Sequence, residues 1–201
     1  MKQEYPWHEL VEESEELEQG DYIDDCEVIT PTYIPIETET GVPNGKGAYQ
    51  ATGNAATYNV IIVSQSCDLE NGKLEYVLMC PRISYSDFVR SYADRPNQIH
   101  SYLEEIRLGR RHRYCMLQQC NLNDFPQEIQ IVDLGQVFSI PYDVMKQMAK
   151  LGGKRLRLLS PYKEKLAQVF AYYYMRVALP IDIPQFEKKK VMVQSGLKSG
   201  Y

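Results

Sequence analysis

The alternation of apolar and polar positions divides the chain into short extended pieces and a few helical stretches. Asn59 to Ser64 (NVIIVS) is a continuous apolar run of strand length, the pattern of a strand buried on both faces. Leu74 to Cys80 (LEYVLMC) returns as a second such run, stopped by Pro81. Between them Glu70-Asn71-Gly72-Lys73 carries the Asn-Gly turn signal, so the pair predicts a strand, a short excursion and a returning strand. Gly20 to Thr30, Arg113 to Leu117, Glu128 to Ile140 and Arg155 to Leu159 also read as extended.

Helical spacing appears in four places. Trp7, Leu10, Val11 and Leu17 form a thin stripe over Trp7 to Gln19, with Pro6 near its start and Gly20 past its end. Tyr85 to Gly109 predicts a largely helical segment that Pro96 interrupts. Pro141 to Lys150 is a helix closed by Gly152-Gly153. Ser160-Pro161 opens a last one, in which Leu166, Val169, Phe170, Tyr173 and Val177 trace one stripe and Ala167, Ala171, Tyr174 and Ala178 a neighbouring face. A helix so widely apolar is expected to be largely buried. Residues 31–57, rich in Thr, Gly, Pro and Asn, read as a long loop.

Strands separated by turns, with helices inserted and appended, define an α+β fold. We expect a small SH3-like β-barrel or twisted antiparallel sheet, with an inserted helix and a C-terminal helical layer. The organisation read from the sequence is an acidic N-terminal helix or arm at 1–19, one α+β domain at 20–184, and a loose tail at 185–201.

Composition sharpens this picture at three points. Sixteen tyrosines stand against 5 Phe and 1 Trp, an excess that suits a marginal core or a half-exposed interface, because tyrosine buries a ring and keeps a polar tip wet. The formal net charge of −5 is unevenly placed. Residues 1–27 hold 11 acids and one base, so the remaining chain is mildly basic. That asymmetry suggests either a solvated acidic face or an arm covering a basic surface. The 5 cysteines are odd in number and form no CxxC pair, and the first residues lack a secretory apolar stretch, which together point to a cytoplasmic protein. No window approaches the ~18 apolar residues of a membrane helix, so no membrane partner is expected.

Candidate chemistry is sparse. Ser64, Cys67 and Asp68 stand where the NVIIVS strand ends, and Cys67 would be a nucleophile if one of His8, His100 or His112 approached it. The structural alternative makes Cys67 a small buried group and Asp68 a turn cap. Cys26, Cys67 and Cys80 fall in or beside expected strands, but ligand spacing is poor and no metal is expected; nor is a cofactor, since P-loop, GxGxxG, HExxH and GxSxG patterns are all lacking. Arg107, Arg110, Arg111 and Arg113, seconded by Lys154, Arg155 and Arg157, form a basic cluster able to hold phosphate or an acidic partner. Its simplest counterpart is the chain's own acidic segment.

Gly20-Asp21-Tyr22, NVIIVSQ at 59–65 and YVLMCPR at 76–82 resemble the SH3-like barrel of MazF/PemK-type toxins, an implication of RNA cleavage. Ser64 matches that family's strand-end hydroxyl, whereas Ala51 to Tyr58 holds no Arg or Lys to match its cation. SQSCDLENGK at 64–73 and RLLSPYKEKLAQVFAYYYMRVALP at 157–180 resemble an uncharacterised group of bacterial cytosolic proteins. The function expected is a non-enzymatic binding or adaptor component of a bacterial multi-protein system, such as phage defence or a mobile element, whose partner is another protein. Homo-oligomers are compatible with it. The alternatives are a divergent MazF/PemK-like RNA-acting protein, meeting nucleic acid through the basic cluster, and a Cys67-dependent enzyme or regulator.

Overall fold

The structure, a computed structural model, describes residues 5–35, 49–92, 96–123 and 125–175. Eight strands and five helices are present among them, in the order β1 (His8–Val11), β2 (Tyr22–Pro35), β3 (Tyr49–Ile62), α1 (Ser66–Glu70), β4 (Tyr76–Ser84), α2 (Tyr85–Ser91), α3 (Pro96–Arg107), β5 (Tyr114–Leu117), β6 (Gln130–Asp133), β7 (Phe138–Pro141), α4 (Tyr142–Leu151), β8 (Arg155–Leu158) and α5 (Tyr162–Tyr174). The fold is α+β. Six strands make an antiparallel sheet in the order β2-β3-β4-β6-β5, with β7 also on β4, and this path does not close on itself. The remaining two, β1 and β8, pair antiparallel with His8 opposite Leu158.

The two apolar runs are neighbours, as the sequence predicts: Val60 lies opposite Pro81, Ile61 opposite Cys80 and Ile62 opposite Met79. Alternation sends Val60 and Ile62 to one core, with Val28, Val77, Met79 and Met145, and Ile61 and Val63 to a second, with Cys80, Leu117, Leu158 and Leu166. All four are buried, so this strand end is buried on both faces. Pro81 does not stop β4, because the strand runs on to Ser84 and pairs β6 through Arg82, Ile83 and Ser84. A third, aromatic cluster joins Phe88, Ile99, Leu103, Ile106 and Ile131, with Tyr85, Tyr92, Tyr102 and Tyr114 packed against it. Part of the tyrosine excess is therefore core.

Three expectations are corrected. Residues 8–11 are a strand rather than the start of a helix over 7–19. Tertiary context overrides local helix propensity there, because β8 offers a ladder and its arginines draw the acids that follow. Residues 31–35 and 49–57 are not loop: they are the outer parts of β2 and β3, paired from Thr30–Asn54 to Pro35–Tyr49. Finally, α5 is half-buried. Leu166, Val169, Phe170 and Tyr173 meet the second core, but Tyr172 and Tyr174 are more than half exposed. The 185–201 tail, the end of the last expected helix and the middle of the expected 31–57 loop lie outside the described residues.

Candidate functional site

The acidic first segment folds onto the chain's own cations. Asp21 has no exposed surface, and its carboxylate accepts from Arg155 Nε at 2.8 Å and from Arg157 Nε at 2.5 Å. The same guanidinium groups donate to the carbonyl oxygens of Glu12, Glu15 and Glu16. Around this centre Glu18 pairs with Arg157 and Lys163, Glu16 with Lys146, and Glu12 with Lys154. The strand sequence Arg-Leu-Arg-Leu explains the arrangement: successive residues face opposite ways, so Leu156 and Leu158 enter the second core while both arginines reach the acidic side. Gly20 makes the close approach possible. Its φ is +89°, and a Cβ there would stand 2.9 Å from Leu158 Cβ.

The other basic cluster behaves differently. Arg107 pairs with Glu104 three residues back, Arg111 with Glu105, and Arg113 with Asp133 through two hydrogen bonds of 2.7 and 2.8 Å. Arg111 and Arg113 also lie over the rings of Tyr102 and Tyr114. Arg110 is exposed, and its charge joins that of Arg107 in holding the Glu104 carboxyl below its ordinary range, the Arg107 hydrogen bond being the main cause. Thus the acidic segment meets Lys154, Arg155 and Arg157, and the Arg107–Arg113 group answers acids of its own neighbourhood.

Ser64 sits at the exit of β3, where its Oγ accepts from the Leu78 N–H at 2.8 Å and ties β3 to β4. Ser66 Oγ accepts from the Gln19 N–H, and Gln19 Nε2 donates to the Val63 carbonyl, so the 63–66 turn is locked to the end of the acidic segment. Cys67 is exposed on α1 rather than buried, with its thiol directed at Gln65 Oε1. Asp68 participates through its backbone, its carbonyl accepting from the Lys73 N–H. None of the three histidines is the thiol's recorded partner: His8 shares a hydrogen bond with Tyr22, His112 packs edge-to-face with Tyr172, and His100 is exposed on α3. Cys26 lies in the first core and Cys80 in the second, so Cys26, Cys67 and Cys80 do not converge. Burial pushes the Cys26 thiol up to about 11 and the Cys80 thiol up to about 12, which keeps both protonated. No group of three metal-ligating side chains occurs among the described residues.

Two features escape the sequence reading. The first is a cleft of about 430 Å³ between β2 and the α4–β8 connection, bordered by Tyr22, Asp24, Gln127, Met148 and Gly152. Beside it a β-bulge between Ile23 and Cys26 puts Asp25 at φ +50° and brings Asp24 to Arg82. Arg82 is almost wholly buried, lies over the Tyr22 ring, donates to Gln130 and leaves its Nε without a partner.

The second is the outer half of the β2–β3 pair. Directly opposed residues share a face, so Ile29/Ala55, Pro31/Gly53, Tyr33/Ala51 and Pro35/Tyr49 form one side of the ribbon and Thr30/Asn54, Thr32/Thr52 and Ile34/Gln50 the other. The second side knits itself together, Asn54 Nδ2 donating to Thr32 Oγ1 at 2.7 Å and Thr30 Oγ1 to the Asn54 carbonyl. The first is apolar and wet, with Ile29 at 74%, Tyr33 at 64% and Tyr49 at 59% exposure. Residues 28–35 and 49–56 include no charged side chain, in a chain that is 24% charged. A signal was present in the sequence: apolar residues at 29, 31, 33 and 35 alternate with 30 and 32, but two of them are prolines.

Comparison with protein-family models, with characterised proteins and with solved structures finds no match to this chain. No described helix is long and apolar enough to cross a membrane.

Proposed function

We propose that this protein is a non-enzymatic binding component that engages another protein through the apolar face of the β2–β3 ribbon. The observation that carries this reading is the exposure of Ile29, Tyr33 and Tyr49 on a surface free of charge. Exposed apolar patches rimmed by polar residues mark contact sites, and tyrosine is over-used in such contacts. A two-stranded ribbon is marginal in water unless its face is covered, so a partner would stabilise it as well as bind it. The ribbon's neutrality argues against nucleic acid there, since binding phosphates needs Lys and Arg.

The alternatives draw less from the geometry. An RNA-acting protein of the MazF/PemK kind needs a free cation beside Ser64, yet Arg107, Arg111 and Arg113 already hold Glu104, Glu105 and Asp133. A Cys67-dependent activity needs a base, and the neighbour of that thiol is the Gln65 amide. The test uses the wild-type protein as bait in bacterial extract, beside Tyr33→Lys and Thr32→Lys, which place a charge on opposite faces of the ribbon. A protein retained by wild type and Thr32→Lys but lost with Tyr33→Lys is the expected result. Identical profiles for all three baits would remove the reading.

A further inference from the structure

The relief of the ribbon face is itself informative. On the apolar side β2 supplies the large groups, Ile29, Pro31, Tyr33 and Pro35, whereas β3 opposite them supplies Ala55, Gly53 and Ala51 before Tyr49. The face is therefore a ridge beside a shallow groove. Ile29 leans into part of that groove: a Cβ on Gly53 would stand 3.0 Å from Ile29 Cγ2.

The open edge of β2 is not available for strand addition. It ends the sheet order, and proline, having no N–H, fits an edge strand only where its nitrogen faces away from the ladder. Pro31 and Pro35 thus strip two of the outward donors that an added strand would use.

We infer that the face is built for a second copy of this chain, packed ribbon on ribbon about a two-fold axis running along the strands. This inference rests on the protein-binding reading above and names the partner. Rotation about that axis lays the β2 of one protomer over the β3 of the other, so each ridge enters the facing groove and Tyr33 meets the partner's Ala51 twice, once from each side. Rotation about an axis across the strands would instead stack ridge on ridge. Charge agrees with the arrangement: two bodies of net charge −5 repel, but the surfaces that meet carry none. About seven residues per strand at ~3.4 Å each give a contact some 24 Å long and two strands wide, well below the ~800 Å² per partner of a standard interface. The association is accordingly weak and concentration-dependent.

Sedimentation of the wild-type protein from about 10 µM to about 1 mM tests this. The expected result is a monomer that becomes a dimer across that range, with the transition lost in Tyr33→Lys and in Ala51→Asp, retained in Thr32→Lys, and restored when Tyr33→Lys and Ala51→Asp are mixed. Restoration arises because the mixed dimer sets the introduced ammonium over the introduced carboxylate. Circular dichroism confirms that each variant, altered at an exposed site, stays folded. A wild-type protein that is monomeric throughout overturns the inference; if Tyr33→Lys still loses its extract partner, the protein-binding reading survives for a different protein. A dimer that persists in Tyr33→Lys, or a mixture that fails to restore it, overturns the proposed face or its register.

Discussion

Two groups of arginines, similar as sequence, have opposite fates in the fold. Arg155 and Arg157 are about 5% exposed and hold Asp21 together with three backbone carbonyls of the first segment. Arg107, Arg110, Arg111 and Arg113 are denser along the chain, yet all lie on the surface, and the three with ion pairs there, Arg107, Arg111 and Arg113, keep about half or more of their own side chains in solvent. Clustering by itself therefore says little about importance. Burial decides it, because a charge taken out of water must be answered completely, whereas one left in water is screened whether answered or not.

The largest effect should follow from removing the single carboxylate that answers both buried arginines. Asp21→Asn keeps the shape of the side chain and leaves two guanidinium groups facing a neutral amide. Breaking a buried pair by deleting one partner typically costs about 3–5 kcal/mol, so the urea midpoint should fall steeply, with the first segment losing its amide-exchange protection before the central sheet. An unchanged midpoint would mean that the clamp is ornamental.

A smaller effect belongs to His8, whose strand β1 runs beside the buried pair. Burial, helped by the positive charge of Arg82, lowers its pKa to about 4 from an ordinary value of 6.5. In the unfolded chain the imidazole takes a proton below pH 6.5, and in the folded one only near pH 4. Stability contributed by the neutral ring is thus complete above pH 6.5 and is lost as pH falls from about 6.5 to about 4. The loss should be on the order of 1–2 kcal/mol once solvent screening is allowed for. His8→Gln should unfold with a visibly flatter pH dependence across that window than wild type; equal slopes would place the sensitivity elsewhere.

The legible parts of the chain were those whose burial is written in consecutive residues. NVIIVS and LEYVLMC announce a central strand pair because most of their positions are apolar, and Ser160-Pro161 falls at the start of α5, although Ser160 bonds the Glu164 side chain rather than capping the helix. The illegible parts depend on residues far away. Residues 7–19 have a helical stripe, but β8, about 140 positions later, converts their start to a strand. Residues 31–35 and 49–57 look like loop because an edge strand tolerates Pro and an unpacked face tolerates Gly and Ala. The β2 bulge that joins Asp24 to Arg82 leaves no local signal, since an acidic pair at 24–25 suits a turn equally well. Arg-Leu-Arg-Leu at 155–158 was readable as a strand with one charged side, but only the fold reveals that this side is buried.

The smallest effects distinguish members of the surface group from one another. Arg113 meets Asp133 through two hydrogen bonds and rests on the Tyr114 ring, so its geometry is fixed on both sides, and the Asp133 bond raises its already high pKa. A bidentate pair of this kind has more to lose than a simple contact, and Arg113→Ala should lower stability by up to about 1 kcal/mol, an effect reduced further in 0.5 M salt. Arg107 has a two-bonded partner too, but Glu104 lies one turn back on the same helix, and both side chains are more than half exposed. What the pair gains in attraction it gives up in side-chain freedom, and Arg107→Ala should leave the urea midpoint where it is. If Arg107→Ala proved as costly as Asp21→Asn, solvent exposure would not be what separates the two groups, and the basic cluster would have to be read again as part of the fold's support.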